Sequence, residues 1–159
     1  MTTQTIDVHA HVLTEETIRL LQREAPKAAP KLSEIDEQFG TLDVAGSIYR
    51  HFPRGGWDLD RRLADMAASK VDVQVLSVCP QTFVYNQPPA VAAGFARIQN
   101  EQLAKLVKTH PGRFLAIATL PMQEPKLAAD ELRYAMRTLG LGGAQIGSNI
   151  AGKNLDDPE

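Results

Sequence analysis

The sequence predicts an α/β fold assembled from successive βα units, and three observations carry that prediction. Four short apolar runs, each bounded by glycine or proline, recur along the chain. A helical periodicity lies between each successive pair. The runs are apolar through most of their length, as parallel strands buried on both faces are. Strand alternating with helix in this way implies parallel neighbours joined by right-handed crossovers.

The first run, residues 6–13, reads Ile-Asp-Val-His-Ala-His-Val-Leu. The second, 71–79, is closed by Pro80, and the third, 113–120, by Pro121. Proline suits a strand end because it cannot donate to a ladder. The fourth, 142–147, is Gly-Gly-Ala-Gln-Ile-Gly. The pattern over 58–70 places Leu59, Leu63, Met66 and Ala67 on one helical face, with arginines and acids opposite. A second helix is expected over 90–109, with Val91, Phe95, Ile98, Leu103, Leu106 and Val107 inward, stopping before His110-Pro111-Gly112. A third, over 125–139, starts on proline, turns Leu127, Leu132, Met136 and Leu139 inward, and ends at Gly140. Residues 14–57 break the rhythm. That stretch, with a charged helical part and a small β-like piece over 41–51, is far longer than the usual two to six residues of a βα loop, and an insertion of that length is usually functional or disordered.

The composition excludes several function classes. The chain has 159 residues, 43% hydrophobic and 23% charged, with a net charge of −2. Nothing in that balance favours nucleic acid or an anionic membrane surface. A single cysteine, Cys79, rules out an intrachain disulfide. No signal-peptide pattern and no membrane-length apolar run is present, so a cytoplasmic location is expected.

The chemistry concentrates in the first run. Residues two apart on a strand share a face, so His9 and His11 project together. Imidazoles facing the interior of an apolar strand need partners. Two neutral imidazoles a few ångströms apart suit one divalent metal. Asp7 is expected to point away from the pair. His110 is expected at the opposite end of the strands, and His51, on the insertion, is the only other histidine placed to reach the site. Cys79 reads as a small buried hydrophobe. Phe83 and Tyr85, after the second strand, read as pocket lining or loop packing, and Trp57 as the anchor of the insertion.

These stretches resemble a known family. "DVHAHVL", "VDVQVLSVCPQTFVY", "RFLAIATLPMQEP" and "LRYAMRTLGLGGAQIG" (residues 132–147) are together similar to the amidohydrolase superfamily of metal-dependent barrels, and within it to the amidohydrolase-related decarboxylases around aminocarboxymuconate-semialdehyde decarboxylase. The resemblance runs over nearly the whole chain. It implies the N-terminal half, strands 1–4, of a TIM (β/α)8 barrel, so that residues 1–159 form a partial barrel domain with its insertion at about 14–57. It implies zinc held by His9 and His11, with a further histidine, an aspartate and an acid/base histidine expected from strands five to eight. It implies an arginine on the insertion that grips a substrate carboxylate; Arg50 in "SIYRHFPRGGW" matches it, with Arg54 the weaker candidate. The implied activity is a metal-dependent carboxy-lyase acting through metal-activated water on a small unsaturated or aromatic carboxylic acid, in a chain that is expected to be incomplete and to form a homodimer when whole. The alternatives are a metal-dependent amidohydrolase or lactonase of the same superfamily, and an inactive or self-associating half-barrel.

Overall fold

The computed structural model describes residues 3–156. Residues 157–159, at the expected approach to a further helix, lie outside the described residues. The chain runs β1 (Ile6–Val12), α1 (Glu15–Glu24), β2 (Pro30–Glu34), β3 (Phe39–Val44), β4 (Ser47–Pro53), α2 (Leu59–Ala68) and β5 (Val73–Val78). It continues through α3 (Pro89–Thr109), β6 (Phe114–Ala116), β7 (Ala118–Thr119), α4 (Pro125–Arg137), β8 (Ala144–Gln145), β9 (Asn149–Ile150) and β10 (Lys153–Asn154).

The expected βα series is present. β1 pairs β5, β5 pairs β6, and β7 pairs β8, all parallel, so spatial order follows chain order. The expected third strand is a single extended stretch that changes partner at Ile117. The Ile117 N–H donates to Leu76 O at 3.0 Å, and the next N–H, Ala118, donates to Gly143 O at 2.8 Å. The expected fourth strand is only two residues long, in a run that holds Gly142, Gly143 and Gly147. A hairpin that the sequence did not announce follows it, β9 with β10, turning on Ala151 and Gly152 at φ 51° and 86°.

One side of these strands packs against helices. Ala10, Val12, Leu76, Val78, Phe114, Ala116 and Ala118 bury against Met66, Leu103 and Ala135. Two expected helix faces are corrected here. In α2, Ala67 is exposed and Arg62 is buried, at 7% exposure. Arg62 lies one turn before Met66 on the core-facing stripe, and hydrogen bonds hold it there. In α4, the buried line is Ala128, Glu131 and Ala135, while Met136 is 48% exposed. Glu131 sets that rotation because it accepts from Asn100 at 2.8 Å and from Arg97 at 2.9 Å.

The insertion holds more order than a charged helix and one β-like piece. Thr14 caps α1, and β2, β3 and β4 form an antiparallel sheet. β2 escapes the sequence because "PKLSE" opens on proline and is mostly polar. Leu21, Leu42, Phe52 and Trp57 bury in a second core with Phe95 of α3, so Trp57 does anchor the insertion. The segment returns beside β1 through Gly56, whose carbonyl accepts from Leu13 N–H at 2.7 Å. A Cβ there would stand 2.4 Å from the Phe52 ring, so only glycine fits.

Asn100 closes the layer where the third strand changes partner. Its side chain accepts from Thr119 N–H at 2.8 Å and donates to Thr119 O at 3.0 Å, in a fully buried setting. Asn100→Ala strands that peptide group and removes a donor from the buried Glu131 carboxylate. We expect a loss of about 2–4 kcal/mol in urea unfolding; a loss below about 1 kcal/mol would contradict this account of the layer.

Candidate metal centre

β1 does not alternate simply. Its register to β5 runs Asp7↔Gln74 and then Ala10↔Leu76, so Val8 and His9 stand opposite Val75 alone. This is a β-bulge, one extra residue on the β1 side. Two-residue spacing would put Asp7, His9 and His11 on one face. The bulge turns Asp7 to the face of Gln74 and Leu76, while His11 pairs with Ser77 on the other. The expectation that Asp7 points away therefore holds, for a reason the spacing did not contain.

His9 and His11 come together as expected. Their rings lie 4.8 Å apart between centroids at 73°, an edge-to-face pair. His9 is exposed and His11 half-buried. The Nδ1 of His11 is 3.0 Å from Ser77 Oγ. With Nδ1 donating to that hydroxyl, Nε2 keeps its lone pair for a metal. Burial, then the neighbouring His9, then Arg62 lower the His11 pKa below its ordinary 6.5, against a raising contribution from the Val78 backbone. The shift favours the neutral ring, the form in which an imidazole can ligate a metal. The donor chemistry fits two positions of a divalent metal site. Among the described residues, no group of three or more His, Cys, Asp or Glu side chains is placed to hold an ion, so the pair accounts for only part of a coordination sphere.

Behind the strand sits a polar network. Arg62 donates through one terminal nitrogen to the carbonyl of His11 and through the other to Gln74 Oε1 at 2.8 Å. Gln74 Nε2 donates to Asp7 Oδ2 at 3.0 Å, and Asp7 Oδ1 accepts from His9 N–H at 3.1 Å. Sequence reasoning missed Ser77, Gln74 and Arg62. The one available signal was Arg62 itself, four residues from Met66 on an apolar stripe.

The remaining candidates separate clearly. Arg50 and His51 together face Thr41 in a second bulge, in β4, with His51 at φ 56°. Arg50 is exposed on the insertion sheet. Arg54 is engaged instead, with Nε 2.9 Å from Asp58 and a terminal nitrogen 4.0 Å from Glu34. His51 stacks edge-on to Phe39 at 5.8 Å. His110 caps α3, with Nδ1 3.2 Å from Leu106 O, at the end of the helix that leads into β6. Cys79 is fully buried, and burial pushes its thiol up to about 12, so it is inert. Phe83 and Tyr85 stack at 5.2 Å, and the Tyr85 hydroxyl accepts from Gly147 N–H at 3.2 Å, tying the loop after β5 to the end of β8.

A family model described as amidohydrolase matches residues 6–159. The chain is 35% identical over 153 residues to 2-amino-3-carboxymuconate-6-semialdehyde decarboxylase of Dictyostelium discoideum, covering 96% of this chain and 43% of that protein. Its fold is similar to the crystal structure of 5-carboxyvanillate decarboxylase from Sphingomonas paucimobilis, with a TM-score of 0.73, 25% identity and coverage of 99% of this chain and 46% of that one. It is also similar to dihydroxybenzoic acid decarboxylase from Polaromonas sp. JS666, solved with bound manganese and the inhibitor 2-nitroresorcinol (TM-score 0.62, 26% identity, coverage 90% and 38%). The chain thus spans less than half the length of each of these proteins. No helix among the described residues is long and apolar enough to cross a membrane.

The lowered pKa of His11 has a pH signature. Between its ordinary 6.5 and the lower folded value, the unfolded chain binds the proton first. Its contribution to stability is therefore complete above that range and is lost as pH falls through it. In metal-free protein, an NMR titration of the His11 Cε1–H should give a midpoint below 6.5. A midpoint at or above that value rules out the burial and charge arrangement described.

Proposed function

The chain belongs to the amidohydrolase family, and on that premise we propose that it forms the N-terminal half of a (β/α)8 barrel of a divalent-metal-dependent decarboxylase. The proposed substrate is a small unsaturated or aromatic carboxylic acid. The observation that carries the reading is the His9–His11 pair, ring to ring at 4.8 Å near the C-terminal end of the first of four parallel strands in the βα series. Sites on barrels of this kind lie at that end.

His9 and His11 hold the metal, zinc or manganese, in this reading. The ion when bound supplies a Lewis acid and lowers the pKa of a water to near neutrality. Ser77 fixes the tautomer of His11 by occupying Nδ1. Partial burial keeps the His11 imidazole neutral, so no proton competes for the ligating nitrogen. Arg50 contributes a planar donor fork suited to a substrate carboxylate. It is exposed, while Arg54 is committed to Asp58, which favours Arg50 for that task.

Two measurements test this. The protein, with any contiguous coding sequence downstream included, is loaded with Zn2+ or Mn2+ and given carboxyl-labelled 2,6-dihydroxybenzoate or aminocarboxymuconate semialdehyde. Labelled carbon dioxide is the expected product; hydrolysis of a lactone or amide without it assigns the site to the hydrolases, and no turnover of either kind leaves an inactive segment. His9→Ala with His11→Ala should abolish stoichiometric metal, read by elemental analysis, and retained metal sinks the ligand assignment. In the active protein Arg50→Ala should raise KM by about 10–100-fold with kcat little changed. An unchanged KM removes Arg50 from the site.

A further inference from the structure

Arg62 is a buried cation that makes no ion pair within 4.0 Å among the described residues. Its Nε is buried and without a partner. A methionine or leucine at this position would fill the same stripe of α2 without the desolvation of a charge. The hydrogen bonds of Arg62 to the His11 carbonyl and to Gln74 offset that cost, and both are made to the bulged strand and its neighbour.

The two arms of its hydrogen bonding end on the same short segment. One reaches the carbonyl of His11 directly. The other passes through Gln74 to Asp7, whose second oxygen accepts from the backbone N–H of His9. Those two end points lie on either side of Ala10, where β1 rejoins its register after the bulge. Val8 and His9 have no one-to-one partner in β5, so the ladder by itself leaves their backbone underdetermined. The side chains of Arg62, Gln74 and Asp7 supply the missing constraint from the helix-facing side.

We propose that Arg62, acting through Gln74 and Asp7, is a positioning residue that fixes the bulge of β1 so that His9 and His11 can bind one metal ion together. This rests on the reading of His9 and His11 as ligands. Arg62 touches neither imidazole; it sets the backbone from which both project. Its effect is on the geometry of the pair, so it appears in metal affinity and ligand count more than in folding.

Copper(II) is the probe, because it binds nitrogen donors most tightly of the divalent first-row ions and a two-imidazole site suffices to hold it. Affinity is read by competition with a chelator, and the number of bound nitrogens by electron paramagnetic resonance. The unaltered protein should show two imidazole nitrogens, lost in His9→Ala. Arg62→Met should drop the count to one and weaken affinity by about 10–100-fold, measured well below its melting temperature, which falls by several degrees as the His11 carbonyl and Gln74 lose their donor. Arg62→Lys, which keeps a donor for one arm only, should fall between the two.

A two-nitrogen spectrum of parental affinity in Arg62→Met overturns the proposal and leaves the histidine pair standing. A one-nitrogen spectrum in the unaltered protein overturns the pairing of the ligands themselves. If Arg62→Met does not fold, Gln74→Leu cuts the Asp7 arm while leaving Arg62 on His11. It should weaken copper at least about threefold, a fraction of the range for lost outer contacts; an unchanged affinity counts against the relay.

Discussion

The bulge in β1 decides how the rest of this molecule is used. It adds one residue between Asp7 and Ala10, and so reverses the face on which Asp7 lies relative to His11. Without it, strict alternation would group Asp7 with both histidines and leave Gln74 without its carboxylate. With it, the two faces of one strand do different work. The side holding Ala10 and Val12 joins the helix-facing core, and the side holding His11 carries the chemistry proposed for metal binding. A bulge beside a site re-aims side chains without breaking the sheet, and the same device recurs at Arg50 and His51 in β4.

Buried polar groups then hold the layers around that strand. Asn100 reads both polar groups of the Thr119 peptide and meets Glu131, so α3, α4 and the third strand are locked at the point where the ladder changes partner. Arg62 does the corresponding work between α2 and β1. The insertion is fastened differently, by apolar packing of Phe52 and Trp57, whose rings lie 5.4 Å apart, over Leu21 and Leu42. These attachments fail by different routes. A lost aromatic leaves a cavity, whereas a lost polar partner leaves a buried group without its hydrogen bond.

Much of this was legible in the sequence, and the parts that were not share a physical cause. The βα series, the starts of α2 and α4 and the His9–His11 pair followed from periodicity, capping and spacing, which are local. Pro125 opens α4 as its signal requires, and Asp58, the first residue of the expected 58–70 stretch, caps α2. Apart from the β9–β10 hairpin and the pairing of β2 with β3, the misses are long-range. Arg62 looks like a surface arginine until Gln74 and the His11 carbonyl are placed beside it. Glu131 looks like the polar face of α4 until Asn100 and Arg97 turn it inward. β2 carries almost no strand signal of its own and is a strand because β3 pairs with all five of its residues. Ser77 was hidden because its value to His11 exists only in the register of β1 with β5.

Two imidazoles on one strand limit what these residues do alone, since a closed zinc site takes four ligands and a catalytic one three from protein. The same face shows a second deficit. Leu115, in register with Val75 on the side of Ser77 and His11, is 54% exposed. Any element that brings further donors to His9 and His11 must approach across that face and cover the apolar wall as it does so. Burying a side chain such as Leu115 contributes about 1.5–3 kcal/mol, and a metal that binds only the assembled face adds its own binding free energy. Completion of the coordination sphere and closure of the sheet are then one coupled equilibrium. On the proposed reading, the burial that favours a neutral His11, the Ser77 hydroxyl beside its Nδ1 and the bulge braced by Arg62 contribute to it from this side, before any further ligand arrives.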